Sequence, residues 1–63
     1  MNREQIAIEL MEGCPRESLL DHQKIADMII MGKPIDEILN LPEMDSWPET
    51  YVWVKEALSK KSA

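Results

Sequence analysis

The chain has 63 residues, 44% of them apolar and 30% charged, and its net charge at pH 7 is -5. This length supports one hydrophobic core, so we predict a single domain over residues 1–63, and the acidic balance opposes long-range attraction to nucleic acid. Cys14 and His22 are the only residues of their types, which excludes an internal disulfide and a four-ligand zinc site, and no run of about 18 uncharged apolar residues could span a membrane.

Glycine and proline residues divide the chain into four segments of helical length. The first is predicted to form a helix over residues 3–12, ending before Gly13, with an apolar face of Ile6, Ala7, Leu10 and Met11. The second is predicted to begin at an N-cap, Ser18, and to end at Gly32, with an inward stripe of Ile25, Ala26, Ile29 and Ile30. Three apolar residues outside that stripe need cover from another helix, a partner or a second subunit: Leu20, Met28 and Met31.

The third and fourth segments are predicted to be a short helix and a longer one. Pro34 suits the first turn of the short helix, which must end before Pro42. Ser46 and Glu49 form a capping-box pair that predicts the start of the fourth helix. Its inward face would carry Thr50, Trp53, Val54, Ala57 and Leu58, and its outward face Val52, Lys55, Glu56 and Ser59. Because no strand signal competes, the predicted fold is an all-α, small four-helix domain.

A short helix, a turn over residues 41–45 and a longer helix have the layout of a helix-turn-helix-like unit, spanning about residues 34–60. Residues 24 to 54 contain Ile25, the run Met31-Gly32-Lys33-Pro34-Ile35-Asp36-Glu37-Ile38, the run Pro42-Glu43-Met44-Asp45-Ser46 and the ending Tyr51-Val52-Trp53-Val54. This pattern resembles the helix-turn-helix of phage small terminase subunits. The resemblance implies that Ser46 caps the recognition helix and that Trp53 and Val54 anchor its inner side.

The same resemblance implies a phage-type or prophage-type module that recognises duplex DNA for packaging or transcription control. Its reading face would consist of Ser46, Glu49, Val52 and Lys55, with Lys60 and Lys61 on phosphate. The chain departs from the family at the start of this helix, where the usual basic or small polar residues are replaced by Asp45, Trp47, Pro48 and Glu49. Val52 also stands where the family often has arginine.

The residues leave a second hypothesis open, an acidic helical adaptor or inhibitor that binds a protein and no DNA. Its contacts would come from Trp47, Tyr51, Met28 and Met31, and a homo-oligomer would cover the same apolar groups. No nucleophile or paired carboxylate stands at a useful spacing from His22, so we expect no enzyme, cofactor or small-molecule substrate. Charged residues interrupt the N-terminal segment, so we expect no secretory signal and a cytoplasmic location.

Overall fold

A computed structural model describes residues 2–61, apart from the Lys61 side chain, and contains four α-helices over that range. The helices are α1 (Arg3–Glu12), α2 (Leu19–Ile30), α3 (Ile35–Leu39) and α4 (Pro48–Lys61). Two 3₁₀ turns, Arg16–Ser18 and Pro42–Ser46, lie in the connections. The predicted all-α, four-helix fold is confirmed, and the bounds of α1 agree with the prediction.

The core is formed where the apolar faces of the four helices meet. Its buried members are Ile6, Ala7, Leu10, Ile25, Ala26, Ile29, Ile38, Met44, Val54, Ala57 and Leu58. Nη1 of Arg3 donates to the backbone oxygen of Ile29 at 3.0 Å, which joins the start of α1 to the end of α2. These two helices therefore pack antiparallel, and the others close the core against them.

Well-defined caps stand at the start of α1 and at the end of α2. The side chain of Asn2 accepts a hydrogen bond from the backbone N–H of Gln5 at 2.7 Å and so caps α1. After α2, Gly32 has a φ of 82°, a conformation that favours glycine. The backbone N–H of Lys33 then donates to the oxygen of Met28 at 3.2 Å, which completes a Schellman motif. The predicted stop at Gly32 therefore has a specific backbone cause.

Ser18 holds the predicted N-cap position of α2 but makes no side-chain capping hydrogen bond, and the predicted cap at Ser46 is wrong. Ser18 immediately precedes α2, but its buried hydroxyl donates to the backbone oxygen of Pro15 at 3.2 Å and caps nothing. Ser46 ends the second 3₁₀ turn, and α4 begins only at Pro48. A proline disfavours the helical conformation of the residue before it, so Pro48 prevents α4 from extending back through Trp47 to Ser46. The Trp47 oxygen instead accepts the first helical hydrogen bond, from Tyr51 N–H at 3.0 Å.

The helix-turn-helix-like pair, α3 and α4, has a longer connection than the tight turn of that motif. The connection runs from Asn40 to Trp47 and includes the second 3₁₀ turn, which buries Met44 in the core. On α4, Val54, Ala57 and Leu58 are buried as predicted, whereas Trp53 is half-buried at the edge of the core. The predicted inward and outward faces of α4 are therefore largely correct.

Neighbouring isoleucines at the end of α2 provide a matched test of this core. Ile29 is 0% exposed and Ile30 is 58% exposed. We expect Ile29→Ala to lower the free energy of unfolding by about 2–5 kcal/mol, because it leaves a cavity in a small core. Ile30→Ala removes the same atoms from the surface, so it should cost under about 1 kcal/mol. Urea unfolding followed by circular dichroism measures both, and equal losses would contradict this description of the core.

Candidate functional site

The residues predicted to read DNA lie on the solvent side of α4 and of the turn before it. Ser46, Glu49, Val52, Lys55 and Lys60 are all exposed, and the Lys61 side chain lies outside the described residues. Glu49 and Glu56 share this outer surface with the lysines. The surface is thus open to a ligand, but its charge is mixed.

The structure does not bring the four predicted partner-binding residues onto one exposed surface. Met28 and Tyr51 are half-buried and pack against the core. Trp47 is also half-buried, and its indole Nε1 donates to Oδ2 of Asp21 at 2.8 Å. Only Met31 of these four is exposed. The protein's own chain therefore covers most of the surface that the adaptor hypothesis proposed.

Large apolar side chains are exposed on α1, on α2 and at the residue that follows α2, and we call these residues together the α1–α2 apolar face. It consists of Ile8, Leu19, Leu20, Ile30 and Met31, with Leu20 84% and Met31 68% exposed. Along α2, Leu19 and Ile30 are about three helical turns apart, as are Leu20 and Met31, so each pair lies on one line along the helix. The prediction that Ile30 points inward is wrong, because the buried arc of α2 is centred on Ile25 and Ile29 and ends before it.

Acidic side chains flank this apolar face. Ile8 lies one turn from Glu4 on one side and from Glu12 on the other, and all three are exposed. On α2, exposed Asp27 precedes Ile30 and Met31 by one turn. The α1–α2 apolar face is therefore bordered mainly by carboxylates.

The one lysine on the exposed side of α2 is already paired. Nζ of Lys24 lies 3.0 Å from Oε2 of Glu43, a residue of the second 3₁₀ turn. The backbone N–H of Glu43 and then the Lys24 ammonium lower the pKa of the Glu43 carboxyl. The other carboxylate oxygen, Oε1, is buried and has no hydrogen-bond partner among the described residues. This ion pair joins α2 to the connection before α4.

Buried His22 forms a second link between α2 and α4. The residue is 4% exposed, and its Nδ1 lies 3.0 Å from the backbone oxygen of Ser18. A carbonyl oxygen only accepts, so Nδ1 carries a proton, and in the neutral ring Nε2 accepts from the Thr50 hydroxyl 2.9 Å away. The Trp47 ring meets the imidazole edge to face, with 5.8 Å between centroids. Both ring nitrogens of His22 are thus already used within the fold.

Above His22 lies a surface groove between the end of α1 and the start of α4, which we call the His22 groove. It consists of two depressions of about 370 and 390 Å³. They share the lining residues Gly13, His22, Glu49 and Thr50. Glu9, Leu10 and Trp53 complete the first, and Pro15, Trp47 and Pro48 the second. Sequence reasoning missed this groove, because its walls come from three helices that are distant in the chain.

The side chains of the groove offer hydrogen bonding and charge but no complete catalytic or metal constellation. Across residues 2–61, no three His, Cys, Asp or Glu side chains come together in a way that could hold a metal ion. None of the helices in the same range has the length and apolar character needed to cross a membrane. The candidate sites are therefore the outer side of α4, the α1–α2 apolar face and the His22 groove.

No protein-family model, curated protein or solved structure matches this chain. The resemblance to phage small terminase subunits therefore stays a prediction based on the residues quoted above. The choice among the three candidate sites depends on their geometry and charge.

Removing the Thr50 hydroxyl tests the link between α2 and α4. Thr50→Val has nearly the same shape but leaves Nε2 of buried His22 without its partner, so we expect the free energy of unfolding to fall by about 1–3 kcal/mol. Thr50→Ser keeps a hydroxyl and should lower the free energy of unfolding less. Chemical unfolding of the two variants at neutral pH makes the comparison. A Thr50→Val protein as stable as the parent would show that the hydrogen bond does not support the fold.

Glu43 should make the stability of the protein sensitive to acid. Its pKa in the folded state is lowered from a usual value of 4.5, so its charge stabilises the fold above that value. This contribution is lost as the pH falls through the lowered folded-state pKa. We expect the parent to lose more stability than Glu43→Gln between about pH 7 and about pH 3, measured by urea unfolding. Glu12→Gln, which removes an exposed carboxylate from α1, is the control, and the prediction fails if it behaves like Glu43→Gln.

Proposed function

We propose that this protein is a small helical protein-binding domain, an adaptor or inhibitor, whose α1–α2 apolar face binds a partner. The partner carries an apolar surface edged by basic groups. The observation that supports this proposal best is the exposure of Leu20 and Met31, which project from opposite ends of one helix. Five large apolar side chains of the two helices and their flank are exposed, and a partner that covers several of them together would gain more than one that covers a single exposed residue.

The apolar face can supply useful binding energy. Fully burying a leucine or methionine side chain is worth about 1.5–3 kcal/mol. Leu20 and Met31 begin almost uncovered, so a partner gains much of that energy by covering them. Association also costs rotational and translational freedom, so the remaining members of the face must contribute as well. The face is therefore suited to a partner that covers both ends of α2 together.

Charge favours a basic partner over a second copy of this chain. The net charge is -5, and carboxylates border the face through Glu4, Glu12 and Asp27. Two copies meeting here would bring these acidic borders together, which costs free energy. A partner with lysine or arginine around its apolar surface gains attraction and faster association instead. The acidic border thus favours a partner with basic residues around its apolar surface.

Duplex-DNA recognition by α4, as in the terminase resemblance, is the second candidate function. The observation in its favour is that the proposed reading residues and Lys60 are open to solvent. Against it, Val52 offers no hydrogen bond to a base edge and the Glu49 carboxylate repels phosphate. This function therefore ranks below protein binding.

Two matched substitutions separate the proposed surfaces. Leu20 on α2 and Val52 on α4 are both exposed, so replacing either with aspartate should leave the core intact. For a protein captured by the parent chain and then purified, we expect Leu20→Asp to weaken binding at least about tenfold, because it puts a charge in the apolar contact. Val52→Asp should change the affinity less than about twofold. Calorimetric titration measures both affinities.

Three results would reject the proposal. Equal effects of the two substitutions would show that the α1–α2 apolar face is not the binding surface. A dimer in sedimentation that Leu20→Asp dissociates would show that the occupant is a second copy. Binding to random duplex DNA at about 50 mM salt, weakened by Val52→Asp and unaffected by Leu20→Asp, would favour the α4 function, because phosphate contacts strengthen steeply at low salt.

A further inference from the structure

We propose that the His22 groove binds the guanidinium group of an arginine side chain. The inference rests on the proposed function only in one respect, namely that the arginine belongs to a basic protein partner. The groove lies between the end of α1 and the start of α4, apart from the residues that form the α1–α2 apolar face. On this second surface, a specific polar contact would add to binding that apolar area and net charge otherwise select.

The groove carries negative charge that no side chain of the lining balances. Glu9 on α1 and Glu49 on α4 line the same depression of about 370 Å³. Neither forms a salt bridge with any residue in the described part of the chain, and no lysine or arginine lines either depression. Two carboxylates facing one concave surface attract a cation, and a low-dielectric wall on one side strengthens that attraction.

The remaining walls favour an organic cation over a metal ion. Two carboxylates alone do not complete a metal site, because both nitrogens of His22 already have partners inside the fold. The half-buried indole of Trp53 lines the same depression as the carboxylates. Aromatic faces attract cations such as guanidinium and ammonium. An anionic ligand is disfavoured, because both carboxylates would repel it.

The residues that line the groove favour guanidinium over ammonium. A guanidinium is planar, stacks on an indole and donates hydrogen bonds from several N–H groups, so one group can meet Trp53 and two carboxylates together. The adjoining depression of about 390 Å³, lined by Pro15, Trp47 and Pro48, continues the groove for the aliphatic stem and the neighbouring backbone. The groove therefore fits an arginine presented on a polypeptide.

The first test needs no variant. N-acetyl-arginine N-methylamide is titrated into the protein while the indole N–H signals of Trp47 and Trp53 are followed by NMR. We expect a saturable shift of the Trp53 signal with millimolar affinity. The matching citrulline compound, which is neutral and has nearly the same shape, should cause no saturable shift. Equal shifts with both compounds, or none with the arginine compound, would overturn the proposal.

A pair of double variants tests the two carboxylates. Glu9→Gln with Glu49→Gln should weaken binding of the arginine compound at least about fivefold, because it removes both charge-assisted contacts. Glu37→Gln with Glu56→Gln removes the same charge from exposed positions of α3 and α4 outside the groove, and should weaken binding less than about twofold. Equal weakening by the two double variants would mean that net charge alone explains the effect, and it would overturn the proposed site.

Two further probes test whether the bound guanidinium belongs to an arginine side chain on a polypeptide or is a free ion. A Gly/Ser peptide with a single arginine should bind at least as tightly as the capped residue, because the second depression accepts its backbone. Guanidinium chloride binding as tightly as the peptide would overturn the assignment to a side chain. None of these probes needs the α1–α2 apolar face, so their failure would leave the Leu20→Asp comparison as an independent test of the proposed function.

Discussion

The contact of the His22 ring with Thr50 is the interaction on which the arrangement of the candidate sites depends. The ring donates within α2 to the Ser18 oxygen and accepts from α4, so it sets how the start of α4 lies on the α1–α2 pair. Trp47 packs on the same ring and is held by Asp21. Because these groups are largely removed from water, leaving one without its partner costs more than a surface hydrogen bond would. This junction thus positions His22, Trp47 and Thr50, three of the residues that line the groove.

The size of the chain explains why so much apolar surface remains outside. A domain this small has a core of limited volume, and α1 and α2 present more apolar residues than one core can cover. Leu19 and Leu20 at the start of α2, and Ile30 and Met31 at its end, stay exposed as two apolar pairs, with exposed Gln23, Lys24 and Asp27 between them. The same composition that limits the core thus creates a surface on which a partner can be selected by shape and charge.

Where the structure differs from the predictions made from the sequence, a stronger constraint outweighed a local sequence pattern. Ser46 and Glu49 have capping-box spacing, but Pro48 between them moves the start of the helix. Ile30 belongs to an apolar run, but only one arc of α2 fits against α1, α3 and α4. Met28 and Tyr51 were candidates for partner contact and instead pack against the protein's own core. The effect of Pro48 is local, whereas the burial of Met28 and Tyr51 and the exposure of Ile30 depend on neighbours in space that the sequence does not specify.

The sequence by itself determined the class of fold, the limits of α1, the stop at Gly32 and the inward residues of α4. These features depend on helical periodicity and on glycine and proline, whose conformational preferences are local. Only the tertiary structure decided that His22 meets Thr50, that Glu9 and Glu49 share a groove, and that Leu20 and Met31 stay exposed. Those outcomes depend on how the helices pack, and periodicity along one helix does not specify which face of another it will meet.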